Sequence, residues 1–583
     1  MMPMRKEIIL RIQSRLLLLL VAVAVSTSIC ACQPDTPPPA APPKVHADLK
    51  AHSDEFKQEV ITVCDGVHVA VGYGLANATL LEGEDGVVIV DAMESAEAAI
   101  PVKAAFDRIS DKPVRAIIYT HFHSDHTGGG RIMAGGDQPA VYSHVDTPVH
   151  MSRIANITRE TTYRRAMRQF GTLLPPGGLI NAGIGPHLAF DETKTLAILP
   201  PDQTYSGERF ELDIAGLKLV LIHAPGETPD QTVIWIPDKK VLLSADNYYK
   251  SFPNLYAIRG TAYRDVRKWV HSLDVMRALG AEYMVPHHSR PVVGAAEIHE
   301  TLTNYRDAIQ FVHDQTIRLM NQGLTAQQIA ERVKLPDHLA RQPYLQPYYG
   351  TVEWSVRAIF DGYLGWFGGN ATDLFPLPRR ERAVRFAALA GGADKLLEQA
   401  KAAMAAGDHQ WALELADQLL LLDADRPAAR EIRANALTAL GETQIAATAR
   451  NYYLTQALET QGALSIGNLK ATDIDMIHSI PLSAIFEGMA VRLDPAKSAD
   501  VDALAGFRFP DTGESYSIHV RRGVAEVQPV FPENPDIVVT VDADIWREVA
   551  AGVRNPAVAL VKDMDKEGGT LNVVRFLNLF KED

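Results

Sequence analysis

Between His121 and His126 the segment THFHSDHTGGG presents three imidazoles and one carboxylate, and three consecutive glycines follow. Imidazole is a good ligand for zinc, and an interleaved carboxylate supplies the negative charge that holds a second cation. A lone histidine is more often a hydrogen-bonded structural residue; four ligand-type side chains in the order HxHxDH are not explained that way. The chemistry this pattern offers is hydrolysis. Two divalent ions roughly 3.5–4 Å apart lower the pKa of a shared water and supply hydroxide at neutral pH.

Such a cluster needs strands to aim it. "EVITVCDGVHVAVG", "ATLLEG" and "EDGVVIVDA" read as strands and turns, "SAEAAIPVKAAFDRI" as a helix, and "VRAIIYTH" as a further buried strand. His121 and His123 are expected to alternate at this strand's end, with Asp125 and His126 in the turn beyond it. Gly128 to Gly130 would let a helix approach closely. Later segments repeat the design, a strand running into a polar stretch: "LKLVLIHAPGE" delivers Glu227, "KVLLSADN" Asp246, and "AEYMVPHHSRP" the pair His287 and His288. This predicts a layered α/β domain with its site at strand ends. Asp91, closing "VVIVDA", is placed to orient a ligand histidine.

Beyond residue 300 the character changes. Residues 301–465 read as helical, and Ala412, Leu415, Ala416 and Leu419 recur at helical spacing between Gly407 and Pro427. Residues 472–583 return to mixed character, with "SYSIHVRRGVAEVQP" as hairpin strands and "DIVVTVDADIWREVAAG" as strand and helix.

A chain of 583 residues, 47% hydrophobic, exceeds what one core serves, and several domains are expected. Its formal charge of -14 argues against nucleic-acid binding. Residues 1–32 read as an export signal: Arg5, Lys6, Arg11 and Arg15 precede the apolar run "LLLLLVAVAVS". "ICAC" resembles a bacterial lipobox with Cys32 as the lipidated residue, and the proline-rich residues 33–50 would form a tether. A periplasmic or membrane-anchored lipoprotein follows, touching membrane only through its lipid.

The HxHxDH motif resembles the signature of the metallo-β-lactamase fold hydrolases. "YRRAMRQFG", "APGETPDQ", "SADNYYKSFPNLYAIRG", "VPHHSRP" and "YLGWFGGNATDL" resemble, more narrowly, the alkylsulfatase branch. The resemblance implies an αββα sandwich over residues 51–300, a helical dimerisation domain over 301–465, and an α+β sterol-carrier-like domain over 472–583. It implies two Zn(II): His121, His123 and Glu227 on one, Asp125, His126 and a histidine of the pair on the other, with Asp246 bridging. The family comparison favours His287 for the pair, whereas the broader superfamily's Pro-Gly-His-Gly turn favours His288; His287 is the expectation taken forward. Asn254 and Arg259 match sulfate-binding positions, Phe170 lies where substrate is bound, and Lys250 could help neutralise departing sulfate. The implied enzyme is a homodimer cleaving alkyl sulfates to alcohol and inorganic sulfate.

Four departures bear on substrate. Asp246 replaces the family's bridging glutamate, Ser289 its tryptophan after the histidine pair, and Trp354 a histidine associated with the leaving group; Phe170 stands where tyrosine is usual. A dinuclear site could equally serve a phosphodiester, lactone, β-lactam or other ester. A reading from another class is a lipid-binding lipoprotein with a vestigial metal site, which the complete ligand set opposes.

Overall fold

Two sheets lie face to face, and alternation along their strands decides which side chains meet. The computed structural model describes residues 42–468 and 474–581. The first sheet runs in chain order through β1 (Glu59–Cys64), β2 (Val67–Val71), β3 (Ala78–Glu82), β4 (Val87–Val90), β5 (Val114–Ile118), β6 (Ala140–His144) and β7 (Gln203–Tyr205). The second has the order β13-β12-β11-β10-β9-β8, formed by β8 (Arg209–Ile214), β9 (Leu217–His223), β10 (Thr232–Ile236), β11 (Val241–Ala245), β12 (Tyr283–Pro286) and β13 (Val292–Val293).

Val88, Val90, Ala116 and Ile118 of the first sheet pack on Leu219, Leu221, Ile234 and Leu243 of the second. The intervening residues turn outward. Val87, Ile89 and Ile117 meet Ala98, Val102 and Phe106 of the helix Ala96–Phe106. Ile222, Val233, Leu242 and Met284 meet Trp269, Leu273 and Leu302 of the helices Val266–Ala278 and Ala295–Met320. The result is the expected αββα sandwich. Ser95 caps the first of these helices by accepting from the Ala98 N–H.

The glycine run performs the close approach expected of it. A Cβ on Gly129 would stand 2.3 Å from the Ala92 carbonyl oxygen and 2.4 Å from the Ala99 Cβ, so only glycine fits there.

Four successive helices, Ala393–Ala405, His409–Leu422, Pro427–Thr443 and Ala447–Gln461, pack through Leu396, Ala412, Leu415, Leu419 and Leu437. The last of them touches the sandwich: Arg168 donates twice to Glu459, both at 2.8 Å, and the Asn451 amide donates to the carbonyls of Phe170 and Asn181. The segment following the helix Val352–Leu364 is exposed except at Phe367 and Gly368, with Trp366 at 72% and Phe375 at 96%.

The C-terminal region is α+β. Its five-stranded sheet, order β16-β15-β14-β17-β18, contains β14 (Asp502–Phe509), β15 (Glu514–Arg521), β16 (Val524–Gln528), β17 (Ile537–Thr540) and β18 (Asp565–Glu567), packed around Phe486, Phe507, Ile518 and Trp546. Among the described residues no helix is long and apolar enough to cross a membrane. The export signal and Cys32 lie outside the described residues.

Candidate metal centre

The ligand-type residues gather where five strands end. Asp91 follows β4, the HxHxDH segment follows β5, Glu227 lies in the loop after β9, Asp246 follows β11, and His287 and His288 follow β12. His121 and His123 lie in the bend beyond Ile118, not in the strand itself, and His123 opens the short helix Ser124–Thr127. Asp91, Ala245 and Ser289, all at these strand ends, have φ of 60°, 48° and 70°. Left-handed backbone at non-glycine residues costs on the order of 1–3 kcal/mol each, and it persists here because the surrounding packing fixes each turn.

Hydrogen bonds select the inward nitrogen of three of the histidines. Asp91 accepts from the Thr120 N–H and hydroxyl, both at 2.8 Å, and from His126 Nδ1–H at 2.5 Å. With its own proton given to Asp91, the Thr120 oxygen takes His121 Nδ1–H at 3.0 Å. His288 Nδ1–H donates to the Leu75 carbonyl at 2.8 Å. His121, His126 and His288 thus all turn Nε2 inward, the orientation a ligand histidine needs. His123 presents Nδ1 to His121 Nε2 at 2.9 Å, while its Nε2 accepts from Arg259 Nη2 at 3.1 Å.

Three groups able to hold metal result: Asp91, His126 and His287, already joined by hydrogen bonds to Asp91, and two that meet at one carboxylate, His121, His123, Glu227 and Asp246 in one and Asp125, His126 and His288 in the other. Asp246 Oδ2 joins them, 3.6 Å from His121 Nε2, 3.3 Å from His126 Nε2 and 3.1 Å from His288 Nε2. Tetrahedral zinc with bonds of about 2.0 Å sets its ligand atoms roughly 3.3 Å apart, so the spacing fits. His126 Nε2 and Asp246 Oδ1 are buried without a hydrogen-bond partner, which a cation between them would remedy.

The electrostatics agree. Burial opposes charge on His126, yet Asp246, Asp125 and Asp91 hold its pKa well above the usual value. Burial likewise opposes ionisation of Asp246, and His126 and His288 hold it well below the carboxylate range. His121, dominated by burial, is pushed down to about 3, a neutral imidazole. Burial pushes Glu227 up to about 7, so the negative charge a cation would meet lies chiefly on Asp246 and Asp125.

A cavity of about 1010 Å³ opens onto the group. His123, Asp125, Glu227 and Asp246 line one part of it, with Arg259 and Arg264 beside them. Phe122, Met167, Phe170, Leu188 and Phe190 give it apolar walls, and Ile480 and Pro481 from the C-terminal region contribute to them.

Sequence comparisons decide the family. Residues 71–288 match the metallo-β-lactamase superfamily, 325–462 the alkyl sulfatase dimerisation domain, and 470–582 the alkyl sulfatase C-terminal domain. A linear primary-alkylsulfatase of Pseudomonas sp. (strain ATCC 19151) is 38% identical over 520 residues, 86% of this chain and 98% of that protein. The chain belongs to the alkylsulfatase family.

An (R)-specific secondary-alkylsulfatase of Pseudomonas sp. is 32% identical over 81% of this chain and 72% of its own length. The solved structure of the stereoselective inverting sec-alkylsulfatase Pisa1 from Pseudomonas sp. superposes with a TM-score of 0.86 at 27% identity, covering 92% of this chain and 87% of that one. As a member of this family the protein is an enzyme, a hydrolase.

Within this alkylsulfatase-family chain, three expected site residues fall elsewhere. His287 gives its Nδ1–H to Asp91 and groups with Asp91 and His126, while His288 Nε2 reaches Asp246 Oδ2 at 3.1 Å, so the geometry favours His288 as the ligand beside Asp246. The cause is the turn itself: positive φ at Ser289, with the Asn77 amide held by the carbonyls of Pro286 and Ser289, presents the second histidine. Lys250 lies outside the cavity lining and donates to Glu55 at 2.6 Å, an ion pair that occupies its charge. Asn254 is buried outside the lining; its N–H donates to the Tyr249 hydroxyl and its carbonyl accepts from Arg264 at 2.5 Å, so it fastens the loop that carries Arg259. Phe170 and Arg259 do line the cavity, and Trp354 does not.

Arg264 escaped the sequence reading. It donates to Glu227 and to the Asn254 carbonyl, both at 2.5 Å, tying a ligand carboxylate to the Arg259 loop. Nothing in the spacing of "RGTAYRD" sets it apart from a surface arginine.

Proposed function

We propose that this protein is an exported dinuclear zinc hydrolase that cleaves alkyl sulfate esters to alcohol and inorganic sulfate and works as a homodimer. The observation that carries the reading is the meeting of two ligand groups at Asp246 on the wall of an apolar cavity, with Arg259 alongside. An apolar tail suits the walls formed by Phe122, Met167, Phe170 and Leu188, and an anionic head suits Arg259.

His121, His123, Glu227 and Asp246 would hold one zinc, and Asp125, His126, His288 and Asp246 the other. When bound, the pair supplies Lewis acidity and a hydroxide at neutral pH. The chain's own residues do the rest. Asp91 fixes His126 through Nδ1–H, and through Thr120 it fixes His121, so neither ring can rotate out of register. The Arg259 guanidinium, always charged, presents a fork that can take two oxygens of a sulfate and offset its charge as it departs. Apolar walls exclude bulk water from the ester, which strengthens both interactions.

The family's dimerisation and C-terminal domains support the homodimer and the amphiphilic substrate. Export, with a lipid on Cys32 as the sole membrane contact, rests on the N-terminal sequence. The test is sulfate release by zinc-analysed protein from primary and secondary alkyl sulfates, with a phosphodiester, a lactone and a β-lactam as comparators. Sulfate release with about two zinc ions bound supports the reading; full zinc without sulfate release sinks it. Labelled lipid incorporated by the wild type and not by Cys32→Ala tests the anchor.

A further inference from the structure

Tyr349 brings a phenol into the cavity that the roles above leave unused. It is 2% exposed, and it lines the cavity together with Glu227, Asp246, Arg259 and Arg264. Its backbone is pinned on both sides: the N–H donates to Ser251 Oγ and the carbonyl accepts from Thr448 Oγ1, each at 2.9 Å. The ring packs edge-on against Tyr249, with centroids 5.6 Å apart. Such a ring has little freedom to swing.

One amide sets the direction of its hydroxyl. Gln169 Oε1 accepts the Arg259 backbone N–H at 2.8 Å, which fixes the amide's orientation and leaves Nε2 to donate to the Tyr349 oxygen at 3.5 Å. The phenol is therefore an acceptor on that side, and its own proton has no acceptor among the described residues. A buried donor without a partner costs free energy unless something else receives the proton. Burial, reinforced by Glu227, pushes the phenol well above its usual pKa, so it stays protonated at working pH.

We propose that Tyr349 is a catalytic residue that donates its phenolic hydrogen to an oxygen of the sulfate group, completing with Arg259 the anion site of the cavity. The proposal rests on the sulfate-ester reading above. Gln169 holds the two donors in register, one through the Arg259 backbone and one through the phenol, so both address the same bound group. A neutral donor here favours an oxyanion without the desolvation cost of a further buried charge. It also aids the leaving sulfate without transferring a proton to it.

The test compares wild type and Tyr349→Phe side by side, both zinc-loaded and assayed per bound zinc. The phenylalanine keeps the ring and removes only the hydroxyl. Loss of a hydrogen bond to a charged group should lower kcat/KM for alkyl sulfates roughly 10- to 100-fold and raise the inhibition constant of inorganic sulfate by a comparable factor. Zinc content and melting temperature should stay at wild-type values. A variant within twofold of wild type in both kinetic readouts overturns the proposal. So does one that loses zinc or melts earlier, since the hydroxyl would then belong to the framework. Absence of sulfate release by the wild type itself would instead remove the alkyl sulfate reading, and this proposal with it.

Discussion

His288 Nε2 stands 3.1 Å from Asp246 Oδ2, while its chain neighbour His287 pairs through Nδ1 with Asp91. Adjacent histidines therefore take different duties, one toward the metal pocket and one toward the carboxylate that steadies it. His288→Ala is expected to lose about half of the bound zinc and nearly all activity. His287→Ala should still fill both sites at saturating zinc, with affinity reduced about 10- to 100-fold. Elemental analysis and chelator competition separate the two.

Asp246 is the carboxylate common to both groups, so its charge serves two cations. Asp246→Asn keeps the shape and removes the charge. At most one zinc per chain should remain, with hydrolysis abolished, as read by elemental analysis on the purified variant.

Arg259 touches the site through its guanidinium and lines the cavity without belonging to either ligand group. Arg259→Lys should keep zinc content and lower kcat/KM for sulfate esters by about 10- to 100-fold, because an ammonium cannot reproduce the two-pronged grip of a guanidinium. Loss of zinc in this variant would contradict its assignment to substrate.

His52 belongs to neither ligand group; its Nε2–H is donated to the Gly183 carbonyl at 2.9 Å and its ring is stacked on Tyr348 at 3.9 Å. Burial pushes its pKa down to about 4 from an ordinary 6.5. A folded-state pKa below the unfolded one means that the unfolded chain binds the proton first as pH falls. The stability His52 contributes should be complete above pH 6.5 and disappear progressively toward pH 4. His52→Gln, which does not titrate, should show a shallower fall in melting temperature across that window.

Trp366 and Phe375 are exposed side chains on a segment that packs little against its own chain. They lie within residues 325–462, the stretch matching the family's dimerisation domain. Phe375→Asp should convert the proposed homodimer to monomer in sedimentation velocity while leaving zinc content intact; an unchanged mass would place the subunit contact elsewhere.

The layered core was legible because its strands alternate or run wholly apolar: Val87–Val90 and Val241–Ala245 could be read as buried strands from composition alone. The HxHxDH ligands were legible because they are contiguous. The choice between His287 and His288 was not, since it depends on a turn shaped by Ser289 and clasped from Asn77, more than 200 positions earlier in the chain. Lys250 misled for a similar reason: its partner, Glu55, is distant in sequence, and a lysine beside a ligand strand looks free until that partner is located. Arg264 and Tyr349 lie in no recognised motif, and Gln169, although inside "YRRAMRQFG", has nothing in its spacing to mark it. They join the site only when the helix Arg159–Phe170 and two separate loops are brought together.

The sites of one metal pair are drawn from the ends of strands in both sheets, the HxHxDH segment from the first and Glu227, Asp246 and His288 from the second. No half of the sandwich can assemble the centre by itself, so metal acquisition must follow the closing of the two sheets and then act as a clasp between them. Chelation should accordingly be felt first at the rim, as faster amide exchange in the turns after β5, β11 and β12, while Leu219, Leu221 and Ile234 between the sheets stay protected.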